Sequence, residues 1–555
     1  MNHQRSSFDR SHGHKTTFNV GEVVPVLCEE VLPGDTFSIT TSKVARMQTL
    51  LAPVFDNMYL DTYYFFVPNR LTWTHWKEFM GENTQSAWIP TTEYSVPTLG
   101  SPAGGFAIGT IADKFGLPTG VEWSKDALNA PIALPFRAYA LIINDFFRDQ
   151  NIQDPLLVPT GDANATGSNG SGLDDVALGG RPFIAAKYHD YFTSCLPGPQ
   201  KGPTVAVPAR IGMMQVAAWK NHNLSYTIPS SNEIIGLQLG YTSAASNLTG
   251  NPGAAYLPSE TNTNVNIRKK QAYDEDGFPS SQLKDIVYPT NLWAMPTDSG
   301  SLAVNINDLR LATVTQMYYE ALARGGSRYE EQIAQFFGVD NPDSRIQHPE
   351  YLGGNRVRIN VHEVTNTAQS ETDFLGDLGA RSVTADTHAD FTKSFTEHGW
   401  LIGLCVVRYD HSYSQGIERK FLRKGKFDYY NPIFARIGEQ PVYDVELYAN
   451  ADSLTNASVF GYQEAWASYR YSPNRTTGEL RPGVSNTLGH WVFTDYYTTK
   501  PTLSSAWIQE DKGNVDRALA VASSVSNQLF CDFYFDMKCV RPMPMYSVPG
   551  AIGQF

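Results

Sequence analysis

Apolar and polar side chains alternate with a period of two in segments spread along the whole chain, and this pattern limits the fold more than any other feature. Near the carboxyl end, Leu529, Cys531, Phe533 and Phe535 alternate with Asp532, Tyr534 and Asp536. Residues 357–362 alternate in the same way, and residues 61–67 read DTYYFFV. Because successive side chains of a strand point to opposite faces, each segment predicts a strand with one face in a core.

Residues 400–409 are almost continuously apolar, which is typical of a strand covered on both faces. Order is expected to begin near Val23, and residues 32–36 (LPGDT) predict a turn between two strands. Similar strands lie far apart in the chain. We therefore predict a mainly β fold, an antiparallel β-sandwich with long loop insertions and a few short helices.

Three segments carry helix signals. Pro135 begins the first, and its apolar residues at spacings of three and four are Phe136, Tyr139, Ala140, Ile143 and Phe147. A second helix is predicted over residues 305–323, where Leu311, Val314, Tyr318 and Leu322 form a stripe. A third should follow the capping box of residues 327–330 and carry Ile333 and Phe336 inward. All three are expected to pack against the sandwich.

Three polar segments differ from the rest. Residues 1–20 carry Arg5, Arg10 and Lys15 among Ser, Thr and His, which predicts a flexible, weakly basic arm able to touch phosphate without base selectivity. Residues 155–180 are expected to be a polar loop. Residues 221–296 are rich in Asn, Ser, Thr, Gly and Pro, with a basic run at 268–270 and an acidic run at 274–276, and predict a long surface excursion.

Charge and cysteine content limit the compartment and the partners. The chain has 43 basic and 56 acidic residues, a net charge of −13, so any contact with nucleic acid must be local. Its five cysteines are scattered without a CxxC pair, which favours reduced, buried thiols. The longest apolar run, residues 401–407, is too short to cross a bilayer. We expect a soluble, non-exported protein without membrane insertion.

The sequence lacks the common motifs for catalysis, cofactors and metals: it has no phosphate-binding loop, GxGxxG, HExxH, GxSxG or paired CxxC. We therefore predict no catalytic residues, no cofactor and no metal. The alternative is a carbohydrate-active or carbohydrate-binding β-sandwich that uses acidic pairs such as Glu29–Glu30. Aromatic side chains that could stack on sugars or unpaired bases are Tyr63, Tyr64, Tyr429, Tyr430, Tyr496 and Tyr497.

Several longer strings of the sequence are distinctive: residues 5–12 (RSSFDRSH), 15–18, 30–36, 137–151, 187–197 (KYHDYFTSCLP), 324–329 (RGGSRY) and 349–354 (PEYLGG). These strings resemble the major capsid proteins of the Microviridae, small single-stranded DNA phages, and within them the gokushovirus branch. The resemblance covers roughly half of the chain.

This resemblance implies a fold and a set of partners. The fold would be an eight-stranded jelly roll with long insertions, a single domain over residues 21–555, in which residues 221–296 form a threefold protrusion that meets a host receptor. Sixty copies would build a T=1 shell around circular single-stranded DNA, with a small basic DNA-binding protein and other virion proteins. The protein would then occur in the virion, and in the host cytoplasm during assembly. An aromatic content of 12% agrees with several interfaces on one subunit.

Overall fold

The computed structural model divides the chain into two compact units. The first comprises residues 1–199 and 325–555, and the second comprises residues 200–324. The residues that the structure describes are 5–82, 93–199, 237–239, 267–270, 286–289, 294–296, 314–315, 317–318, 321, 335, 347–365, 367, 376, 378–455 and 457–546. The predicted excursion, residues 221–296, falls within the second unit and lies mostly outside the described residues.

Two antiparallel sheets organise the first unit. Their strands are β1 (Ser6–Asp9), β2 (His12–Phe18), β3 (Val24–Val31), β4 (Thr36–Met47), β5 (Met58–Pro68), β6 (Glu350–Arg358), β7 (Thr384–Ser394), β8 (Gly399–Tyr409) and β9 (Leu529–Arg541). In one sheet β9 pairs with β1 and β2 along one side and with β4 along the other, and β4 pairs with β7. The other sheet has the order β6-β5-β8-β3.

The two sheets pack face to face around one hydrophobic core. The side chains of Leu529–Cys539 on β9 are alternately buried and exposed, as the sequence pattern predicts. Their buried set meets Phe37 of β4 and, from the other sheet, Leu60 of β5 and Leu401 of β8. The prediction of a mainly β, antiparallel sandwich is confirmed.

The four-stranded sheet is also covered on its second face. Phe65 of β5 and Ile402 of β8 pack there against the helix Leu134–Ile142, which contributes Phe136 and Tyr139. The Tyr139 hydroxyl donates to the Val23 carbonyl at 2.6 Å and so joins this helix to the start of β3. This second core explains the continuous apolar run of β8 and confirms that both of its faces are buried.

The helix predicted from Pro135 is confirmed. It runs over Leu134–Ile142 and continues as a π-helical turn over Ile143–Phe147. Of the second predicted helix, the described residues at 314, 315, 317, 318 and 321 are helical, but Val314 and Tyr318 of its apolar stripe are exposed. The remainder of that helix, and the third helix apart from Gln335, lie outside the described residues.

The strand predicted across residues 357–362 is interrupted, so that prediction is wrong in its continuity. β6 ends at Arg358, and Val361–Thr365 pairs with Leu378–Ser382 in a separate ribbon. At the break the Asn360 amide donates to the Thr384 hydroxyl at 2.8 Å. Apolar and polar side chains alternate through the break because the alternation depends on which face is buried. It does not depend on which strand is the hydrogen-bonding partner.

The flexible arm predicted over residues 1–20 is also a wrong prediction for its described part. β1 and β2 pair with β9 from Ser6 opposite Arg541 to Phe18 opposite Leu529, and Phe18 is buried. The segment has few apolar side chains, yet backbone N–H and C=O groups pair at a sheet edge whatever the side chains are. The polar composition of this segment therefore gives no indication that it forms the edge strands β1 and β2.

The polar loop over residues 155–180 is held by side-chain amides. Asn164 accepts from the Thr98 amide at 3.0 Å, and Asn169 accepts from the Ala107 amide at 2.8 Å. Val176, at the start of a short 3₁₀ turn, is buried in the second core. The loop is therefore anchored at both its polar and its apolar residues.

The remaining elements are short. Paired strands are Leu99–Gly100 with Ala165–Thr166, Ser412–Tyr413 with Asn474–Arg475, Glu439–Tyr443 with Val459–Glu464, Leu237–Leu239 with Ala294–Pro296, and Ile267–Lys270 with Ile286–Pro289. Helical turns are Asn69–Thr72, Trp76–Phe79, Ile111–Lys114, Val176–Leu178, Arg419–Leu422, Lys426–Asp428, Pro432–Phe434, Asp444–Leu447, Ala451–Thr455, Ala467–Arg470, Gly478–Leu480, Gly489–Trp491, Ser505–Ile508 and Lys512–Asp516.

All five cysteines are free thiols; four are buried and Cys28 is half-buried. No helix in the described ranges combines the length and the apolar character needed to span a membrane.

Candidate functional site

The three predicted phosphate contacts lie along one edge of the five-stranded sheet and not in a cluster. Arg5 precedes β1, Arg10 lies between β1 and β2, and Lys15 lies on β2 opposite Asp532. Ser6 lies opposite Arg541, nine residues further along β9, so Arg5 and Lys15 are roughly 30 Å apart along the strand. Together they form a line of separate charges.

Two of these charges already face carboxylates. The Arg10 guanidinium pairs with Glu29, and the Lys15 ammonium lies 3.5 Å from the carboxylate of Asp532. Lys15 also lines an open groove of about 630 Å³ between β2 and the Ile111–Lys114 turn, beside Arg46 and Lys114. Because the Lys15 pair is exposed, it stabilises the fold by only about 0–1 kcal/mol and a phosphate can compete for the lysine.

Asp61, within the predicted strand DTYYFFV, is a buried carboxylate at the centre of a charge network. Arg356 donates to it through Nε at 2.7 Å and Arg408 through Nη2 at 2.9 Å, and the hydroxyls of Tyr63 and Tyr188 add bonds of 3.0 and 2.9 Å. Burial opposes ionisation, but the two guanidinium groups outweigh it and lower the pKa of Asp61. The carboxylate is saturated by structural donors, which leaves no oxygen aimed at a substrate.

A second buried network surrounds Asp495. Its carboxylate accepts from Lys187 Nζ at 2.8 Å, from Asn514 at 2.8 Å and from the Tyr497 hydroxyl at 2.8 Å, and it contacts His411 Nδ1 at 2.7 Å. Burial favours the neutral carboxyl, yet His411 and Lys187 hold the pKa of Asp495 far below its usual range. The arrangement is a closed set of opposite charges that ties distant segments together.

The imidazole of His411 bridges Asp495 to Glu510, whose Oε1 lies 2.9 Å from Nε2. Burial disfavours the imidazolium, but the two carboxylates overcome it and raise the pKa of His411 to about 9. His411 is therefore charged at neutral pH. Sequence reasoning missed this network because its members lie up to 323 residues apart, from Lys187 to Glu510, and no local motif joins them.

The acidic pair proposed for sugar chemistry is not arranged as a catalytic pair. The Glu29 carboxylate pairs with the Arg10 guanidinium. Glu30 is the next residue of β3, so its side chain points to the opposite face, and it is exposed. The acidic run at 274–276 lies outside the described residues. In the described part of the chain, no group of three His, Cys, Asp or Glu side chains is placed to hold a metal ion.

The six tyrosines considered for stacking separate into two groups. Tyr64 is buried in the sandwich, while the hydroxyls of Tyr63 and Tyr497 are bonded within the two networks. The exposed group consists of Tyr429, Tyr430 and Tyr496. Further large apolar side chains exposed on loops and short helical turns include Phe55, Ile108, Leu128, Phe421, Phe427, Ile433 and Val525. These side chains are available to contact a partner.

Comparison with known proteins gives matches along almost the whole chain. Residues 1–551 match the family described as capsid protein (F protein). Capsid protein VP1 of Chlamydia phage 1 is 39% identical, over 99% of this chain and 96% of the relative. Capsid protein VP1 of Spiroplasma virus 4 is 39% identical, over 97% and 94%, and that of Bdellovibrio phage phiMH2K is 36% identical, over 99% and 96%.

Proposed function

Since this chain belongs to the capsid protein (F protein) family, we propose that sixty copies of it form a T=1 icosahedral shell around circular single-stranded DNA. The protein is a capsid protein that assembles with copies of itself, and it is a structural component of the virion and not an enzyme. The resemblance to the major capsid proteins of the Microviridae is thereby confirmed. The carbohydrate-active alternative is discarded.

The observation that carries the proposal is the family match over residues 1–551. The exposed apolar side chains support it, because assembly would cover rings such as Phe55, which stacks on Trp491 at a centroid distance of 5.4 Å. Burial of apolar surface contributes about 25 cal/mol per Å², so many modest contacts suffice in a closed shell.

The sandwich itself is proposed to be an eight-stranded jelly roll. β1 and β2 both pair with the same side of β9, so they count as one strand of the sandwich, which then has eight strands. One sheet has the order β2-β9-β4-β7, and the other has the order β3-β8-β5-β6. The first and last strands are then neighbours, and each sheet receives strands from both halves of the chain. That order is what two interlocked Greek keys produce, and jelly rolls of this kind occur in viral capsids.

Assembly can be tested on the purified full-length chain. Sixty chains of 61.5 kDa give a particle of about 3.7 MDa. Size exclusion with light scattering and negative-stain microscopy should show closed particles of that mass. A chain that remains a monomer at high concentration would contradict the proposed shell.

The amino-terminal edge is proposed to touch the packaged DNA through Arg5, Arg10 and Lys15. Replacing all three by Ala should leave the fold intact, since their pairs with Glu29 and Asp532 are partly or largely exposed. We expect weaker retention of DNA, and a slope of log affinity against log salt that is smaller by about 2, at roughly 0.7 for each phosphate contact to a single strand. Unchanged DNA content and salt dependence in purified particles would argue against these contacts.

The second unit is proposed to contain the host-attachment protrusion. Residues 200–324 form a compact unit inserted in sequence between two parts of the first unit, and insertions of this kind are best tolerated when the scaffold keeps its own core. We expect that replacing residues 223–288 by a short Gly-Ser bridge preserves assembly and abolishes infection. Particle yield and plaque counts measure the two effects, and loss of soluble protein would show that the segment belongs to the scaffold.

The other partners are proposed from charge. A chain of net charge −13 cannot neutralise a genome, so a separate small basic protein would supply most of the counter-charge, together with other virion proteins. Assembly would take place in the host cytoplasm, and a host-cell receptor would meet the protrusion.

A further inference from the structure

Residues 419–436, called here the basic loop, carry a local charge opposite to that of the whole chain. The basic loop has six Lys or Arg residues and a single acidic residue, Asp428, a net charge of +5 in a chain of −13. It also has five Phe or Tyr residues in the same 18 positions. Basic side chains interleaved with aromatic rings are the combination that binds single-stranded nucleic acid without sequence preference.

Four of the five aromatic rings of the basic loop are exposed to solvent. Phe421, Phe427, Tyr429 and Tyr430 are 69%, 64%, 54% and 48% exposed. Lys426 Nζ lies 4.8 Å from the centre of the Phe427 ring, so a cation stands beside a stacking surface. These four exposed rings lie within ten residues of the chain, and exposed apolar surface of this size is typical of a site that a partner covers.

Three cations of the basic loop are free to meet an anion. Lys424, Lys426 and Arg436 have no carboxylate within 4.0 Å among the residues that the structure describes, whereas Lys420 pairs with Glu418 at 2.7 Å. The nearby Asp428 forms no ion pair with these three cations; its carboxylate accepts from the backbone amides of Lys424 and Gly425 at 2.9 and 2.7 Å. These bonds lower the pKa of Asp428 and fix the turn that presents the lysines.

The backbone of the basic loop is anchored to the first unit. The Arg423 guanidinium lies 3.9 Å from the centre of the Tyr469 ring and donates to the Ser468 hydroxyl at 3.0 Å. Trp466 Nε1 donates to the Phe434 carbonyl at 2.8 Å, and the Trp466 ring meets Tyr430 edge to face at 5.5 Å. A ligand would therefore pay little to order the loop, which favours binding.

We propose that the basic loop binds single-stranded nucleic acid, with its exposed rings stacking on unpaired bases and Lys424, Lys426 and Arg436 contacting phosphates. This inference rests on the proposed function, in which the shell encloses single-stranded DNA. A second copy of the chain is the other candidate occupant. Lysine is depleted in protein–protein interfaces, and the free lysines here favour a polyanion.

The test measures binding of the full-length chain to a fluorescent 20-nucleotide oligo(dT) by anisotropy over a range of salt concentrations. Two variants separate the two kinds of contact. K424A/K426A/R436A removes the three free cations, and F427A/Y429A removes two of the exposed rings. A matched control, R381A/R481A/K512A, removes three exposed cations elsewhere that have no carboxylate partner among the described residues. Thermal melting verifies that every variant is folded.

We expect the charge variant to weaken binding and to lower the salt slope by about 2, at roughly 0.7 for each phosphate contact. The aromatic variant should raise Kd about 5-fold to 150-fold for each stacked base lost, with the salt slope unchanged. The control should bind like the unmodified chain, and a duplex of equal length should bind more weakly than the single strand.

Equal affinity of all variants, or an equal loss in the control, would overturn the inference. So would loop variants that assemble poorly while binding oligo(dT) normally, since that result assigns the loop to a second copy. Nuclease-protected DNA in particles of the unmodified chain tests the proposed function separately. Particles that contain DNA while the loop variants keep full affinity refute only the loop, whereas particles that contain no DNA refute the proposed function and the inference with it.

Discussion

Replacement of Asp495 by Ala is expected to lower the free energy of unfolding of the first unit by about 3–5 kcal/mol. The substitution leaves the buried Lys187 ammonium and the His411 imidazolium without the carboxylate that both contact, at 2.8 and 2.7 Å. It also removes the acceptor of Tyr497 and Asn514. Breaking one side of a buried charge set is far more costly than losing an exposed ion pair, because the remaining charges have no water to solvate them.

Urea unfolding of the unassembled chain, followed by tryptophan fluorescence, measures this loss. Trp507 is a suitable reporter, because Lys187 Nζ lies 4.7 Å from the centre of its ring. Glu479→Ala is the matched control: this exposed carboxylate has no ion pair among the described residues, and its loss should change stability by less than about 0.5 kcal/mol. A variant at Asp495 as stable as the control would show that the network does not hold the segments together.

Replacement of Phe533 by Ala is expected to destabilise the sandwich by about 3–5 kcal/mol. Phe533 is fully buried on β9, the strand that pairs with β1, β2 and β4, and its ring lies 6.2 Å from the nearly parallel ring of Phe535. Truncation leaves a cavity between two sheets that cannot close it, because both are fixed by their backbone ladders. Assembly should fail at temperatures that the unmodified chain tolerates.

The neighbouring residue provides the control. Tyr534 points to the opposite face of β9 and is 53% exposed, so Tyr534→Ala should cost less than about 1 kcal/mol. Thermal melting of both variants compares two neighbouring aromatic residues on opposite faces of the same strand. Similar losses at the two positions would contradict a core that lies on one side of this sheet.

The strands with the most regular side-chain patterns were predictable from the sequence. β9 alternates because one of its faces lies in the sandwich core, and β8 is continuously apolar because a helix covers its second face. The helix from Pro135 was predictable for the same reason, since its buried residues recur at helical spacing. In each case the core requires apolar side chains at every buried position of the element, so the apolar residues recur with the period of that strand or helix.

Elements that depend on backbone pairing were not predictable. The residues of β1 and β2 predict a flexible arm when the sequence is considered alone, because hydrogen bonds between main chains do not depend on side-chain composition. The break between Arg358 and Val361 was missed because the apolar alternation persists while the partner strand changes.

The candidate sites show a similar division. Arg5, Arg10 and Lys15 were visible as charges, but the carboxylates facing Arg10 and Lys15 were not. The basic residues of the basic loop are as visible in the sequence as the basic run at 268–270. Only the structure shows which of these cations lack a carboxylate partner and which rings are exposed.

The sequence by itself determined the class of fold, the family and the faces of the principal strands, because local periodicity and matched strings are properties of neighbouring residues. Only the tertiary structure decided how the strands are ordered in the two sheets, which edge receives the amino-terminal segment, and that Lys187, His411 and Asp495 meet. Those contacts join residues from 84 to more than 300 positions apart, and their energies depend on burial and distance, which no local pattern encodes.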